Sequence, residues 1–86
     1  MKLKEGFILQ KVAGENIAVP TGEGADLDMM ITLNNVGAFL WTLLEEETDE
    51  DALAEALMEE YGIDRDRAHH SVQTFVEKLR KQDFME

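Results

Sequence analysis

The chain has 86 residues, of which 44% are hydrophobic, contains no cysteine, and carries a formal net charge of −11. The length corresponds to one domain spanning residues 1–86, and the lack of thiols excludes disulfides and thiolate metal sites. No Lys or Arg occurs between Val12 and Asp64, which argues against nucleic-acid binding, because such proteins gain affinity by neutralising phosphates with clustered basic residues.

Membrane insertion is also disfavoured by the sequence. No apolar run approaches the roughly 20 residues that span a bilayer, and the N-terminal stretch MKLKEGFILQK lacks the apolar segment of a signal peptide. The acidic composition disfavours anionic membrane surfaces as well. We therefore expect a soluble, cytoplasmic protein.

Three short strands are predicted first. Gly6–Val12 and Ile17–Pro20 flank a turn at residues 13–16 whose residue types suit a hairpin. A polar loop, Thr21–Asp28, precedes a third strand at Met29–Leu33, where apolar and polar residues alternate. The strands predict a small antiparallel sheet, and if their order is 1-2-3 the third strand lies at an edge with unpaired backbone groups.

The chain then changes to helical spacing. Asn34 and Asn35 offer N-cap oxygens for a first helix at about Asn35–Glu45. A second helix is predicted from an N-cap at Thr48 to about Tyr61. The expected apolar stripe of this second helix consists of Leu53, Leu57, Met58 and Tyr61.

The third helix is the longest. Asp64 is its expected N-cap, after a C-cap at Gly62, and the helix runs to about Lys81. We expect Phe84 and Met85 to fold back over the core. The apolar stripe of this third helix consists of Ala68, Val72, Phe75, Val76 and Leu79. Three strands followed by three helices predict an α+β fold, and the short link between the last two helices is compatible with a winged-helix-like arrangement.

No catalytic constellation is recognisable, and we expect no catalytic residue, metal or cofactor. His69 and His70 are adjacent, so on a helix their side chains point about 100° apart and cannot share a metal. The acids at 45–51 are explained by solvation and helix capping. The loop carboxylates Glu23, Asp26 and Asp28 do not match an EF-hand.

The position of Met30 suggests a binding function instead of catalysis. If Met29, Ile31 and Leu33 face the core, Met30 faces outward on an edge strand beside the third helix. Methionine is common on surfaces that receive varied apolar partners, so an extended peptide could add to this strand. The alternative is that Met30 is core in a sheet covered on both sides.

The motifs ITLNNVGAFLWTLL, TDEDALAEALMEEYGID and VQTFVEKLRKQDFME resemble the PqqD family of pyrroloquinoline quinone biosynthesis and the related recognition domains for ribosomally made, modified peptides. The resemblance covers about residues 6–86. The chain departs from the family pattern at the link after the first helix, where a Gly is common, and at its C-terminal tail.

The resemblance implies a non-catalytic adaptor that holds the leader of a precursor peptide as an added strand and presents the peptide to a modifying enzyme, often a radical SAM protein. It places the docking surface on the third strand and the adjoining face of the third helix, which periodicity alone does not fix. An acidic leader would be steered towards the basic group on that helix. The candidate peptide-binding residues are Met29, Met30, Ile31, Thr32, Leu33, Arg65, His69, Val72, Gln73, Val76 and Arg80.

Two alternatives remain open from the sequence. One is a winged-helix DNA-binding regulator, which the order of elements permits and the charge opposes. The other is a structural module that forms a homodimer by pairing the third strand with its own copy.

Overall fold

A computed structural model describes residues 1–21 and 30–86. The loop carboxylates Glu23, Asp26 and Asp28 and the candidate Met29 lie outside the described residues. Within them, the predicted α+β fold is confirmed as three strands followed by three helices. The elements are β1 (Phe7–Val12), β2 (Glu15–Pro20), β3 (Ile31–Leu33), α1 (Asn35–Leu44), α2 (Glu50–Tyr61) and α3 (Arg65–Lys81).

The β1–β2 hairpin has a tighter turn than the sequence predicts. Only Ala13 and Gly14 form the turn, both with positive φ (52° and 83°), and β2 begins at Glu15 instead of the predicted Ile17. Two residues with positive φ form the type I′ turn whose twist matches that of the flanking strands. The turn therefore fixes the antiparallel register, which pairs Val12 with Glu15.

The helix boundaries follow their caps. Asn34 accepts a hydrogen bond from the Gly37 N–H, and Asp64 accepts one from the Arg67 N–H, as predicted. The predicted N-cap of α2 at Thr48 is wrong, because the Asp49 carboxylate accepts from the Ala52 N–H at 2.8 Å. The Thr48 N–H instead donates to the Met1 carbonyl, which ties this link to the N-terminal segment.

The core lies between the sheet and the helices. On α3 the buried residues are Ala68, Val72, Val76 and Leu79. On α2 they are Leu53, Ala54 and Leu57, whereas Tyr61, predicted to belong to the apolar stripe, is 42% exposed. Gly62 ends α2 in the left-handed conformation with φ of 65°, as expected for a glycine C-cap.

The two ends of the chain meet over this core. Phe84 and Met85 are buried, as predicted, and Leu3 forms an antiparallel bridge with Met85. The Lys4 N–H donates to the Phe84 carbonyl at 2.9 Å. No helix in the described part of the chain has the length and apolarity needed to cross a membrane.

Candidate functional site

β3 lies at an edge of the sheet. The strand order is β1-β2-β3, so among residues 1–21 and 30–86 the strand pairs with β2 alone. An edge strand of this kind presents unpaired N–H and C=O groups that can pair with another chain. The prediction that the third strand is an edge is therefore confirmed.

The hairpin determines which backbone groups of β3 point outward. Its two-residue turn makes Val12 and Glu15 a hydrogen-bonded pair, and such pairs alternate along antiparallel strands. The backbone N–H and C=O of Ile17 therefore point towards β1 and form hydrogen bonds there. On β3 the residue opposite Ile17 is Thr32, and these two residues consequently form a pair without hydrogen bonds between them. The N–H and C=O of Thr32 consequently point away from the sheet, towards the place an added strand would occupy.

The side chains of β3 alternate between the core and solvent. Ile31 and Leu33 are buried and Thr32 is exposed. Met30, directly before the strand, is 47% exposed, so residues 1–21 and 30–86 leave this side chain uncovered on its side of the sheet. The edge thus offers free backbone groups between two apolar side chains that face the helices.

A groove between α1 and α3 adjoins the C-terminal end of β3. Its volume is about 400 Å³, and we refer to it as the α1–α3 groove. The side chains of α3 that line it are His70, Ser71, Thr74, Phe75 and Lys78. The other side is lined by Asn34, Val36, Gly37 and Leu40.

Gly37 links this groove to β3. A Cβ built at Gly37 would lie 3.2 Å from Phe75 Cε1 and 3.5 Å from Leu33 Cβ. The lack of a side chain at this position therefore lets α1 approach both the strand and the ring of α3. The contact places Phe75 between the core and the open groove, where this side chain is half-buried.

The groove has a basic residue at one end. Lys78 makes no ion pair with any residue in the described ranges 1–21 and 30–86, whereas one turn away Lys81 lies 3.4 Å from Glu77. An ammonium that pairs with none of the described carboxylates favours an anionic group of a ligand at this point of the groove.

The structure places the candidate residues of α3 away from this groove. Val72 and Val76 are 0% and 1% exposed and belong to the core. His69 lies 3.6 Å from Asp51 of α2, and Arg80 lies beside Met1, its guanidinium 3.9 Å from the sulfur. Arg65 and Gln73 are exposed, and neither lines the groove.

The apolar stripe of α3 has two flanks. Of the candidate residues, Val72 and Val76 belong to the stripe itself, and His69 lies on the flank that faces α2. The flank that meets β3 and α1 begins at Phe75, which the helical spacing assigns to the stripe. Two residues in the sequence could have indicated the flank that lines the groove. They are Phe75, a large aromatic at the border of the stripe, and Gly37 in the first turn of α1.

The described residues contain no group of three or more His, Cys, Asp or Glu side chains that could hold a metal ion. Every buried side-chain nitrogen or oxygen among them has a hydrogen-bond partner. The arrangement at β3 and the α1–α3 groove is therefore one of backbone donors and acceptors, apolar side chains and a lysine ammonium, which is suited to binding an extended chain.

Known proteins with the same fold include two peptide-bound structures. TbiB1 in complex with the TbiA(beta) leader peptide matches with a TM-score of 0.77 and 23% sequence identity over 100% of this chain and 95% of that one. Lasso peptide synthetase B1 complexed with the leader peptide matches with a TM-score of 0.73 and 17% identity over 96% and 93% of the two chains. At these identities the likeness establishes the fold.

A comparison with curated proteins gives no significant match. A comparison with protein families gives a match: residues 7–85 fit the family described as coenzyme PQQ synthesis protein D (PqqD). That match covers nearly the whole chain and confirms the resemblance seen in its motifs. The chain belongs to the PqqD family.

Proposed function

We propose that this protein is a peptide-binding adaptor that holds the leader of a ribosomally made precursor peptide as a fourth strand along β3. The observation that carries the proposal is the outward-pointing backbone of Thr32 on an edge strand that adjoins an apolar groove. Strand addition uses these same elements, since backbone hydrogen bonds give affinity and pockets for alternate side chains give specificity. The leader peptides bound to TbiB1 and to lasso peptide synthetase B1 support it.

The adaptor itself carries out no reaction in this proposal. Its partner is a peptide-modifying enzyme, of which a radical SAM protein is the kind that the family resemblance implies. The adaptor holds the leader, and the remainder of the precursor stays free to reach that enzyme. The docking residues we propose are Met30–Leu33 together with the groove residues of α1 and α3, in place of the flank of α3 that faces α2.

A proline substitution on each edge of the sheet tests the proposal. Thr32→Pro removes an N–H that no strand of the described chain uses, and proline is tolerated on edge strands where the N–H faces solvent. Because one hydrogen bond contributes about 0.5–1.5 kcal/mol net and the ring obstructs a neighbouring strand, we expect roughly tenfold weaker binding of the precursor peptide encoded beside this gene. Isothermal titration calorimetry measures the affinity.

Lys11→Pro is the matched control. By the same alternation, the N–H of Lys11 points outward from β1 at the opposite edge of the sheet. We expect Lys11→Pro to leave the peptide affinity within about twofold of that of the unmodified protein. Equal loss in the two variants, or loss with Lys11→Pro alone, would contradict docking at β3.

The free edge could also pair with a second copy of this chain, as in the dimerisation alternative. Light scattering at the concentrations used for titration separates the two uses of the edge. We expect a monomer whose mass increases by that of one peptide. A dimer that Thr32→Pro dissociates and that excludes the peptide would favour the alternative.

A further inference from the structure

The pairing pattern of β3 determines how the side chains of a guest strand are distributed. In an antiparallel ladder, the guest residue opposite Thr32 exchanges both hydrogen bonds with it and shares its side of the sheet. The guest residues immediately before and after therefore face the opposite side, where Ile31 and Leu33 are buried against the helices. Two guest side chains separated by one residue thus point towards α1 and α3.

The groove on that side is large enough for both. Its volume is about 400 Å³, whereas a cavity of about 150 Å³ holds one benzene ring. Val36, Leu40 and Phe75 give its walls an apolar character. A Cβ at Gly37 would lie 3.5 Å from Leu33 Cβ, so this wall of the groove borders the end of β3.

The positive charge of Lys78 at the groove favours an acidic residue near these two side chains in the guest peptide. Lys78 lies two helical turns, or about 12 Å, from His70 along the α3 wall, a length that an extended chain covers in about four residues. A carboxylate two positions before the apolar pair would lie on the same side of the guest strand as the pair, towards the ammonium of Lys78, which no carboxylate in residues 1–21 or 30–86 occupies. A basic guest residue there would be repelled by the same ammonium.

We infer that the segment recognised by this protein is an extended peptide with two aliphatic side chains separated by one residue, and with an Asp or Glu two positions before the first of them that pairs with Lys78. The inference rests on the proposed function and specifies the chemistry of its ligand. The one-residue separation of the aliphatic side chains follows from the pairing of Thr32 with the guest strand. The acidic residue follows from the Lys78 ammonium at the groove.

A panel of labelled peptides of one composition tests the spacing. The reference peptide contains Asp-Thr-Leu-Thr-Leu in a Ser/Thr background, with variants in which the two leucines are adjacent or separated by two residues. We expect the reference peptide to bind at least about fivefold more tightly than either variant, measured by fluorescence anisotropy and by NMR shifts of the protein. Equal affinity across the three spacings, or no detectable binding by any of them at millimolar concentration, overturns the inference.

A charge exchange tests the acidic neighbour. Lys78→Glu should lower the affinity for the reference peptide and raise the affinity for the analogue in which Lys replaces Asp, each by roughly threefold to tenfold. Lys81→Glu is the matched control, since Lys81 lies on the same helix and already faces Glu77 at 3.4 Å. The same change in preference with both variants would show a long-range effect of net charge and would contradict a pairing with Lys78.

These outcomes are separable from failure of the proposed function. If Thr32→Pro weakens the natural precursor but the panel shows no preference, strand addition stands and the inferred ligand chemistry is wrong. If the precursor binds equally well to both proline variants, the proposed function itself fails.

Discussion

Gly37 is the residue at which β3, α1 and α3 come together. Its position in the first turn of α1 follows from the N-cap at Asn34, whose side-chain oxygen accepts the Gly37 N–H at 2.7 Å. A side chain at this position would press on that oxygen and on the ring of Phe75, since a Cβ would lie 3.2 Å from each. The lack of a side chain at Gly37 therefore lets α1 pack closely against the Phe75 ring and the end of β3.

We expect Gly37→Ala to disturb the wall of the groove without unfolding the protein. Alanine gains about 1 kcal/mol of helix propensity over glycine, which offsets part of the strain, so the free energy of unfolding should change by about 1 kcal/mol or less. The methyl group would displace the Phe75 ring, which lines the groove, so peptide affinity should fall severalfold. Urea denaturation and peptide titration measure the two effects.

Phe75→Leu supplies the control for this prediction. If the alanine acts through the ring, the double variant Gly37→Ala/Phe75→Leu should bind the peptide better than Gly37→Ala alone, giving a non-additive double-mutant cycle. Additive losses would show that the two residues act independently.

At the scale of the elements, α3 has two roles on different faces. Its buried stripe packs into the core, and one flank lines the groove while the other faces α2 and the N-terminal residue. The helix is held at its start by Asp64, whose carboxylate accepts the Arg67 N–H at 2.8 Å. At its end Lys78, Arg80 and Lys81 complement the helix dipole. Loss of the N-cap should therefore weaken an element on which both the core and the groove depend.

We expect Asp64→Ala to lower the free energy of unfolding by about 1 kcal/mol, the typical cost of removing an N-cap. Asp64→Asn keeps the hydrogen-bond acceptor and removes the charge, so it should retain most of the stability. Chemical denaturation followed by circular dichroism measures both. Equal destabilisation by the two substitutions would assign the effect to the charge and not to the cap.

At the scale of the whole molecule, the C-terminal segment closes a small core. The Phe84 ring lies 4.9 Å from that of Phe7 and 5.5 Å from that of Trp41, measured between centroids, and Phe84 is 2% exposed. Backbone hydrogen bonds join Lys4 to Phe84 and Glu86 to Lys2. The sheet, the first helix and the C-terminal segment thus share one aromatic cluster, and backbone hydrogen bonds join the N-terminal segment to it.

We expect Phe84→Ala to destabilise the protein by about 3–5 kcal/mol, the usual cost of removing a buried phenylalanine. That is a large fraction of the roughly 5–15 kcal/mol that stabilises a typical protein, so the variant should unfold at much lower urea concentration. Tyr61→Ala is the control, since Tyr61 is an exposed aromatic that contacts Phe39 alone among the aromatic rings of the described residues. A cost for Phe84→Ala no larger than that for Tyr61→Ala would contradict this account of the core.

Much of the local structure is determined by the sequence itself. The change from alternation to helical spacing around residues 31–44 predicts the junction of β3 and α1. Asn34, Gly62 and Asp64 mark helix ends because each needs only its neighbours to form a cap. The sequence does not single out Asp49, because Thr48, one residue earlier, is also a good cap and the choice depends on the bond between Thr48 and Met1.

Only the tertiary structure decides where the faces of these elements meet. Periodicity identifies the buried stripe of α3, but the two flanks beside the stripe are equivalent until other elements pack against them. The contact between Gly37 and Phe75 and the pairing of β3 with β2 assign one flank to the groove and turn the backbone of Thr32 outward. These contacts join residues far apart in the chain, so the spacing of residues within one element carries no record of them.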